Sequence, residues 1–350
     1  MIINARRLII LAATLAVALI AAPPATAQEA CQDRFEDWEC DEFRTLTQAI
    51  VAAIGGEIVP EADPFEMSFD FFKGTDGNSY APFTIALDQE KVDGSRLVMV
   101  AYVIGPPDPA AEAEAENDDD SGVPPSAFND GWFVDVTSGD DGPLRFSRAF
   151  AVPGGAHDVF IALRQSLGED PDDEEEEQAP IMLLHQRVDV PDLWNNVLQT
   201  SSIILASDVE MLAAPLGDEE QIASPYTLGN IQIRPKVSRE YTTDEELFPI
   251  FLVYNPGLVD GQKPDVTVEY NFHQQTEAGE EYFNRTAPQE FNGQTLPAEW
   301  NATLGHQITG GFAVPLAVFP AGEYRLEIKV VDNTNSSEVI QNVLFTVLES

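Results

Sequence analysis

Positive charge is scarce in this chain. Its 350 residues hold 18 Lys and Arg against 60 Asp and Glu, a formal net charge of −42. Such a field repels nucleic acid and anionic membrane surface, and no basic patch offsets it, which argues against a nucleic-acid partner. Histidine is as sparse: His157, His185, His273 and His306 form no H-E-x-x-H pair, so nothing points to a metalloprotease. No G-x-S-x-G elbow, G-x-G-x-x-G fingerprint or Walker loop occurs. The sequence marks of a serine hydrolase and of a nucleotide-binding enzyme are therefore missing. "GHQITGG" at Gly305–Gly311 has no Lys after it and reads as a turn. No cofactor or metal is expected. Carboxylate pairs for glycoside hydrolysis stay open, because spacing along the chain does not give separation in space.

Long apolar runs are confined to the start. Arg6 and Arg7 precede Leu8–Ala22, apolar apart from Thr14, and Ala25-Thr26-Ala27 stands before Gln28. A charged start, an apolar stretch and an A-x-A site make a secretory signal peptide over residues 1–27, cleaved near Ala27. The run is 15 residues, short of the roughly 20 that span a bilayer as a helix. The mature chain is expected to be periplasmic or secreted, with no transmembrane segment. Its 323 residues (350 − 27) exceed what one sandwich needs, so two domains are expected. Loss of the two leader arginines takes the charge to −44 (−42 − 2).

Cysteine is limited to Cys31 and Cys40. In an exported chain such a pair suggests a disulfide. A helix running from one to the other would hold them about 13 Å apart, beyond the ~7 Å that a bridge tolerates. Either Cys31 sits in a turn folded back on a helix start, or both thiols stay free; the exported context favours the disulfide. Two Cys without supporting His cannot make a tetrahedral zinc site.

What the sequence has in quantity is alternation. Phe35, Trp38, Phe43, Leu46, Ile50 and Ile54 form one helical stripe, ended by Gly55-Gly56, so residues 28–60 read as a helical N-terminal segment. From Pro60 the period becomes two. Runs such as "YAPFTIALDQE", "RLVMVAYVIG", "PLRFSRAFAVP" and "AHDVFIALRQSL", separated by Asp-Gly turns, predict a first β-sandwich over 61–212. Acidic, apolar-poor stretches at 106–129 and 168–178 read as surface loops; "NDDDSG" in the first does not keep the spacing of a calcium loop. The alternation lapses over 213–226, which reads as a linker. Seven further runs predict a second immunoglobulin-like sandwich over 227–350. The fold class expected is all-β.

Two stretches resemble each other. Aligning Gly155 with Gly322 sets Pro153 on Pro320, His157 on Tyr324, and Val159, Ile161 and Leu163 on Leu326, Ile328 and Val330. Tyr324, just inside a strand after a Pro/Gly turn, fits a tyrosine corner, with His157 as its polar stand-in. A second alignment sets Tyr102 on Tyr254, and the two together suggest a duplicated domain. Among the aromatics, Tyr282, Phe291 and Trp300 lie amid Asn and Gln as candidate ligand contacts, with core packing as the plain alternative.

"GNSYAPFTIALD", "SRAFAVPGGAHDVFIALR", "FLVYNPGLVDGQKPDVTVEYNF" and "FPAGEYRLEIKVVD" are similar to segments of exported bacterial proteins with tandem β-sandwich domains, related to the GWxTD-domain proteins of acidobacteria. The resemblance covers residues 65–350. The chain departs from that group in lacking the motif itself, since Gly131-Trp132 is followed by Phe133-Val134-Asp135. It implies the fold and export, and carries over no catalytic residue. The function expected is a non-enzymatic binding or scaffold protein of the cell envelope or exterior, contacting an envelope protein or a polysaccharide. The alternative is a polysaccharide-active enzyme or its carbohydrate-binding module.

Overall fold

The computed structural model describes residues 31–92, 94, 96–106, 125–136, 142–169, 179–259 and 262–349. The expected signal peptide, and the acidic stretches over 107–124 and 170–178, lie outside the described residues. Among the described residues the chain is all-β apart from one long helix and a few short turns of helix. Its described residues divide into two compact units, those over 31–69 with 74–192, and those over 70–73 with 193–349.

The N-terminal unit opens with a helix, α1 (Asp37–Ile54), whose Glu36 and Glu39 close a capping box. Seven strands follow: β1 (Glu66–Phe69), β2 (Asn78–Leu87), β3 (Arg96–Ile104), β4 (Phe128–Asp135), β5 (Leu144–Pro153), β6 (Gly155–Gln165) and β7 (Met182–Val190). One sheet runs β1–β2–β5, and the other runs β4–β3–β6–β7, every pair antiparallel. These are the immunoglobulin-like orders A–B–E and C′–C–F–G. Strand β4 begins at Phe128, inside the stretch expected to be loop to residue 129. Phe128 stacks on Trp132, 6.1 Å between ring centroids, which gives this end of the acidic stretch apolar surface to bury.

In the C-terminal unit the numbered strands are β8 (Ile204–Met211), β9 (Ile231–Pro235), β10 (Glu240–Thr242), β11 (Glu246–Tyr254), β12 (Val266–Thr276), β13 (Gly279–Arg285), β14 (Gln289–Phe291), β15 (Ile308–Gly311), β16 (Gly322–Asp332) and β17 (Ser337–Leu348). One sheet follows β9–β8–β11–β15 and the other β10–β17–β16–β12–β13. Strands β8, β11 and β15 are A, B and E; β17, β16, β12 and β13 are G, F, C and C′. Both units therefore share one strand order.

Two expectations change. The boundary lies at Leu193, not at 213–226. Strand β8 pairs with β11 from Ile204↔Ile250 to Ala206↔Phe248, and Leu205 is buried in the core of the C-terminal unit. "SSIILASDVEML" is thus the first strand of the second sandwich. The lapse in alternation marks an excursion within that unit, including a short helix at Asp218–Ala223 and the buried Tyr226, whose hydroxyl donates to Asp70.

The second alignment also fails. Tyr102 lies on strand C of its unit and Tyr254 on strand B, because any two half-buried strands share a period of two. The first alignment holds. Val159, Ile161, Leu163, Leu326, Ile328 and Val330 all have no exposed surface. Gly155 and Gly322 open the two F strands with φ of 143° and 152°, a backbone that side-chain-bearing residues rarely adopt.

Candidate interaction face

The tyrosine corner forms in the C-terminal unit. The Tyr324 hydroxyl donates to the Pro320 carbonyl at 2.7 Å, and its ring stacks on Phe345. His157 takes the equivalent place but not the equivalent bond. Its Nδ1 lies 3.0 Å from the Gly155 carbonyl, only two residues back, and its Nε2 is buried with no partner among the described residues. Both are structural positions.

The expected disulfide forms. Cys31 and Gln32 are helical, and the chain then turns over 33–34 before α1. The Cys31 carbonyl accepts from the amides of Arg34 and Phe35, and Cys31 bridges to Cys40 with the Cα atoms 5.9 Å apart. The bridge ties the chain entry to α1. Phe43, Leu46 and Ile50 of that helix then bury against Val98, Val100, Tyr102, Phe160, Ala162 and Leu183. Gly131 makes room for it: a Cβ there would fall 2.5 Å from the Phe43 ring. So the outer face of the C′–C–F–G sheet is covered in the N-terminal unit, which accounts for β3 being buried along nearly all its length.

The expected ligand-contact aromatics separate. Trp300 is buried, with its indole Nε1 donating to the Gln307 carbonyl, and Phe291 packs against the same core. Of their polar neighbours, Gln289 on β14 accepts from the Tyr270 hydroxyl, while Asn292 and Asn301 hold turns by accepting from the amides of Gln294 and Thr303. Tyr282 alone is open, 58% exposed.

Tyr282 sits on the outer face of the C-terminal G–F–C–C′ sheet, and among the described residues no helix covers that face. It pairs with His273, which pairs with Arg325, which pairs with Leu344. Four strands at about 4.8 Å spacing make this row roughly 14 Å long. Leu344, at the far end, is 63% exposed. The row exists because β16 alternates strictly: Tyr324, Leu326, Ile328 and Val330 point inward, leaving Arg325, Glu327 and Lys329 outward. Arg325 holds the centre. Its Nε and Nη2 donate to the two oxygens of Glu280 at 2.7 and 2.6 Å, and its Nη1 reaches Glu327 and Asn342. Hydrogen bonds from Arg325 hold the Glu280 carboxyl below its usual range, and Glu280 raises Arg325 in return. Lys329 is likewise raised by its 2.6 Å contact with Glu338. Arg325 and Lys329 are thus already paired, while Glu323, Glu269 opposite Lys329, and Arg285 opposite Asn271 stand exposed on the same face.

Two buried acids, Asp332 and Glu42, are held by the fold. Asp332 is fully buried and accepts from the amides of Gly257 and Thr334 and from the Thr334 hydroxyl and the Asn335 amide group. Glu42 reaches from α1 to accept from Ser166, Leu167 and Gly168. A groove of about 970 Å³ in the N-terminal unit has Asp63, Glu66, Asp88 and Glu90 on its walls, all exposed to solvent. Among the described residues no three His, Cys, Asp or Glu side chains gather as a metal set, and no helix is long and apolar enough to cross a membrane.

No protein-family model and no curated protein matches the chain. Solved structures of low similarity do. One is a calcium-binding mutant of β-glucuronidase 2 from Bacteroides uniformis, 9% identical over 79% of this chain and 27% of that one, with a TM-score of 0.22. Others are a Salmonella α-2-macroglobulin reacted with methylamine (11% identity, 82% of this chain and 17% of that one, TM-score 0.20) and HBP35 of Porphyromonas gingivalis (12%, 81% and 64%, TM-score 0.22). The chain thus spans about a quarter of the β-glucuronidase. At these scores the likenesses bear on neither activity nor ligand.

Proposed function

We propose that this chain is an exported, non-enzymatic binding or scaffold protein of the cell envelope or exterior, and that it recognises its partner with the outer face of the C-terminal G–F–C–C′ sheet. The observation that carries the reading is the row Tyr282–His273–Arg325–Leu344, which places exposed apolar groups at both ends of a fixed polar centre. Exposed aromatic and aliphatic groups around a pre-ordered Arg have the composition of a recognition surface. The outward positions of this face carry five carboxylates, Glu269, Glu280, Glu323, Glu327 and Glu338, against three cations, Arg285, Arg325 and Lys329, so the face suits a partner with cationic and apolar groups. The signal-peptide pattern and the likeness to exported tandem-sandwich proteins support the location.

The test is a cross-linking pull-down from the native envelope with the mature protein and with Tyr282→Asp. The expected result is a partner captured by the first and lost with the second, at an unchanged melting temperature. A panel of polysaccharide hydrolase substrates is run beside it. Turnover abolished by a single carboxylate substitution would overturn the non-enzymatic reading; capture that ignores Tyr282→Asp would move the binding site elsewhere.

A further inference from the structure

Strand β17 has one unguarded edge. Along its inner side it pairs with β16 from Ser337↔Asp332 to Val347↔Gly322 without a break in register. Along its other side only Thr346, Val347 and Leu348 are covered, by the parallel strand β10. Among the described residues, nothing pairs with that side over residues 337–345. Natural edge strands are usually protected by Lys, Pro, a bulge or brevity. This one is 12 residues long, and "VIQNVLF", Val339–Phe345, holds no charge, no Pro and no Gly. In a chain with 78 charged side chains (60 + 18), seven uncharged residues on an open edge are notable. Their outward members include Ile340, 47% exposed, and Leu344, while Val343 and Phe345 fill the core.

We propose that this edge pairs with the same edge of a second copy of the chain, antiparallel about a two-fold axis at Asn342. That register sets Ile340 opposite Leu344 of the second copy, Leu344 opposite its Ile340, and Asn342 opposite its Asn342. On the inward side Gln341 meets Val343 and Val339 meets Phe345. The pattern is self-complementary, as an isologous contact requires. Two apolar cross-strand pairs form on the outer face, where such pairs stabilise a sheet, and no acid lies within the paired stretch. A cationic partner segment fits less well here, because the stretch offers it no charge. The result is one continuous sheet across two sandwiches.

Seven residues of edge cover less than the roughly 1,200–2,000 Å² of a stable interface, so the dimer is weak and depends on concentration. Each mature copy carries −44 (−42 − 2), so salt, which screens that repulsion, strengthens the dimer. This inference stands apart from the proposed function: partner capture by a monomer would sink one and leave the other.

The test is sedimentation equilibrium of the full mature chain over a range of concentrations, at low and at high sodium chloride. The expected result is a monomer–dimer equilibrium that shifts toward dimer as salt rises and is lost in Ile340→Lys and Leu344→Lys. Both positions are exposed, so both variants are expected to keep the melting temperature of the parent. The register is tested separately by oxidising Asn342→Cys, expected to cross-link two copies, beside Glu338→Cys, expected not to. A monomer at every concentration and salt would overturn the proposal. So would a dimer that weakens with salt, one indifferent to the two lysines, or an Asn342→Cys protein that fails to cross-link.

Discussion

The two units lay their strands in the same order and differ in what covers one face. In the N-terminal unit the outer side of the C′–C–F–G sheet lies under α1, and β3 and β6 are buried on both sides. In the C-terminal unit the same side carries Arg325, Glu327 and Lys329, and among the described residues no helix covers it. The difference is written into the strands. "LVMVAYV" is apolar at every residue, as a doubly covered strand must be, whereas "YRLEIKV" alternates, as a singly covered strand does. A sandwich framework is thus compatible with either a sealed or a presented face, and the alternate residues of two strands decide which.

The comparison can be broken most forcefully at the helix. Leu46 has no exposed surface, and Leu46→Ala is expected to destabilise the N-terminal unit by about 2–5 kcal/mol. Leu344→Ala on the bare face is expected to stay within about 0.5 kcal/mol. Denaturant unfolding of the two variants measures both; equal losses would mean that the C-terminal face is covered after all. The bridge that ties the chain entry to α1 comes next. Cys40→Ser, or reduction, opens a loop of sequence separation 9, which corresponds to about 2–3 kcal/mol of lost denatured-state restriction. The thermal midpoint should fall in the N-terminal unit alone. Gly131→Ala pushes a methyl group into the Phe43 ring and is expected to cost about 1–3 kcal/mol through overpacking, read by the same denaturant series. A further substitution separates the two F-strand corners: Tyr324→Phe removes the bond to Pro320 and is expected to cost about 1 kcal/mol.

The smallest effect is electrostatic. Glu280 is held below the usual glutamate value of 4.5 by hydrogen bonds from Arg325. A depressed carboxylate contributes stability that is present above its unfolded value and lost as pH falls through the folded one. Thermal midpoints measured from neutral pH down past 4.5 should therefore fall less steeply in Glu280→Gln than in the parent. Glu280 lies in the C-terminal unit, while the N-terminal unit has its own pairs, Arg96 with Glu39 and Arg164 with Glu42, so the N-terminal transition should not respond to this variant.

Much of the framework was legible because the period of two survives in single strands. The core positions of β6 and β16 and, from Trp38 on, the helical stripe followed from local pattern, while reach left the disulfide open and only the exported context favoured it. The unit boundary was not legible. An excursion inside a sandwich and a linker both break alternation, and only the pairing of Ile204 with Ile250 tells them apart. Tyr102 matched Tyr254 for a similar reason, since periodicity cannot say whether a strand is B or C. The face row was hidden too. Arg325 and Glu280 are 45 residues apart, and their meeting depends on a register that no short stretch encodes. Strict alternation with long polar residues in "YRLEIKV" was the available signal, and it identified an exposed face without naming its neighbours. For Trp300 and Phe291, composition misled, because aromatic rings beside Asn and Gln occur wherever turns close over a core.

Oxidative footprinting of the intact mature chain tests the contrast between the faces most directly. Tyr282 and Leu344 should be modified rapidly, while Tyr102 and Phe160, at like positions under α1, should be protected. Protection of Tyr282 and Leu344 equal to that of Tyr102 and Phe160 would contradict the account, because it would mean that both faces are sealed.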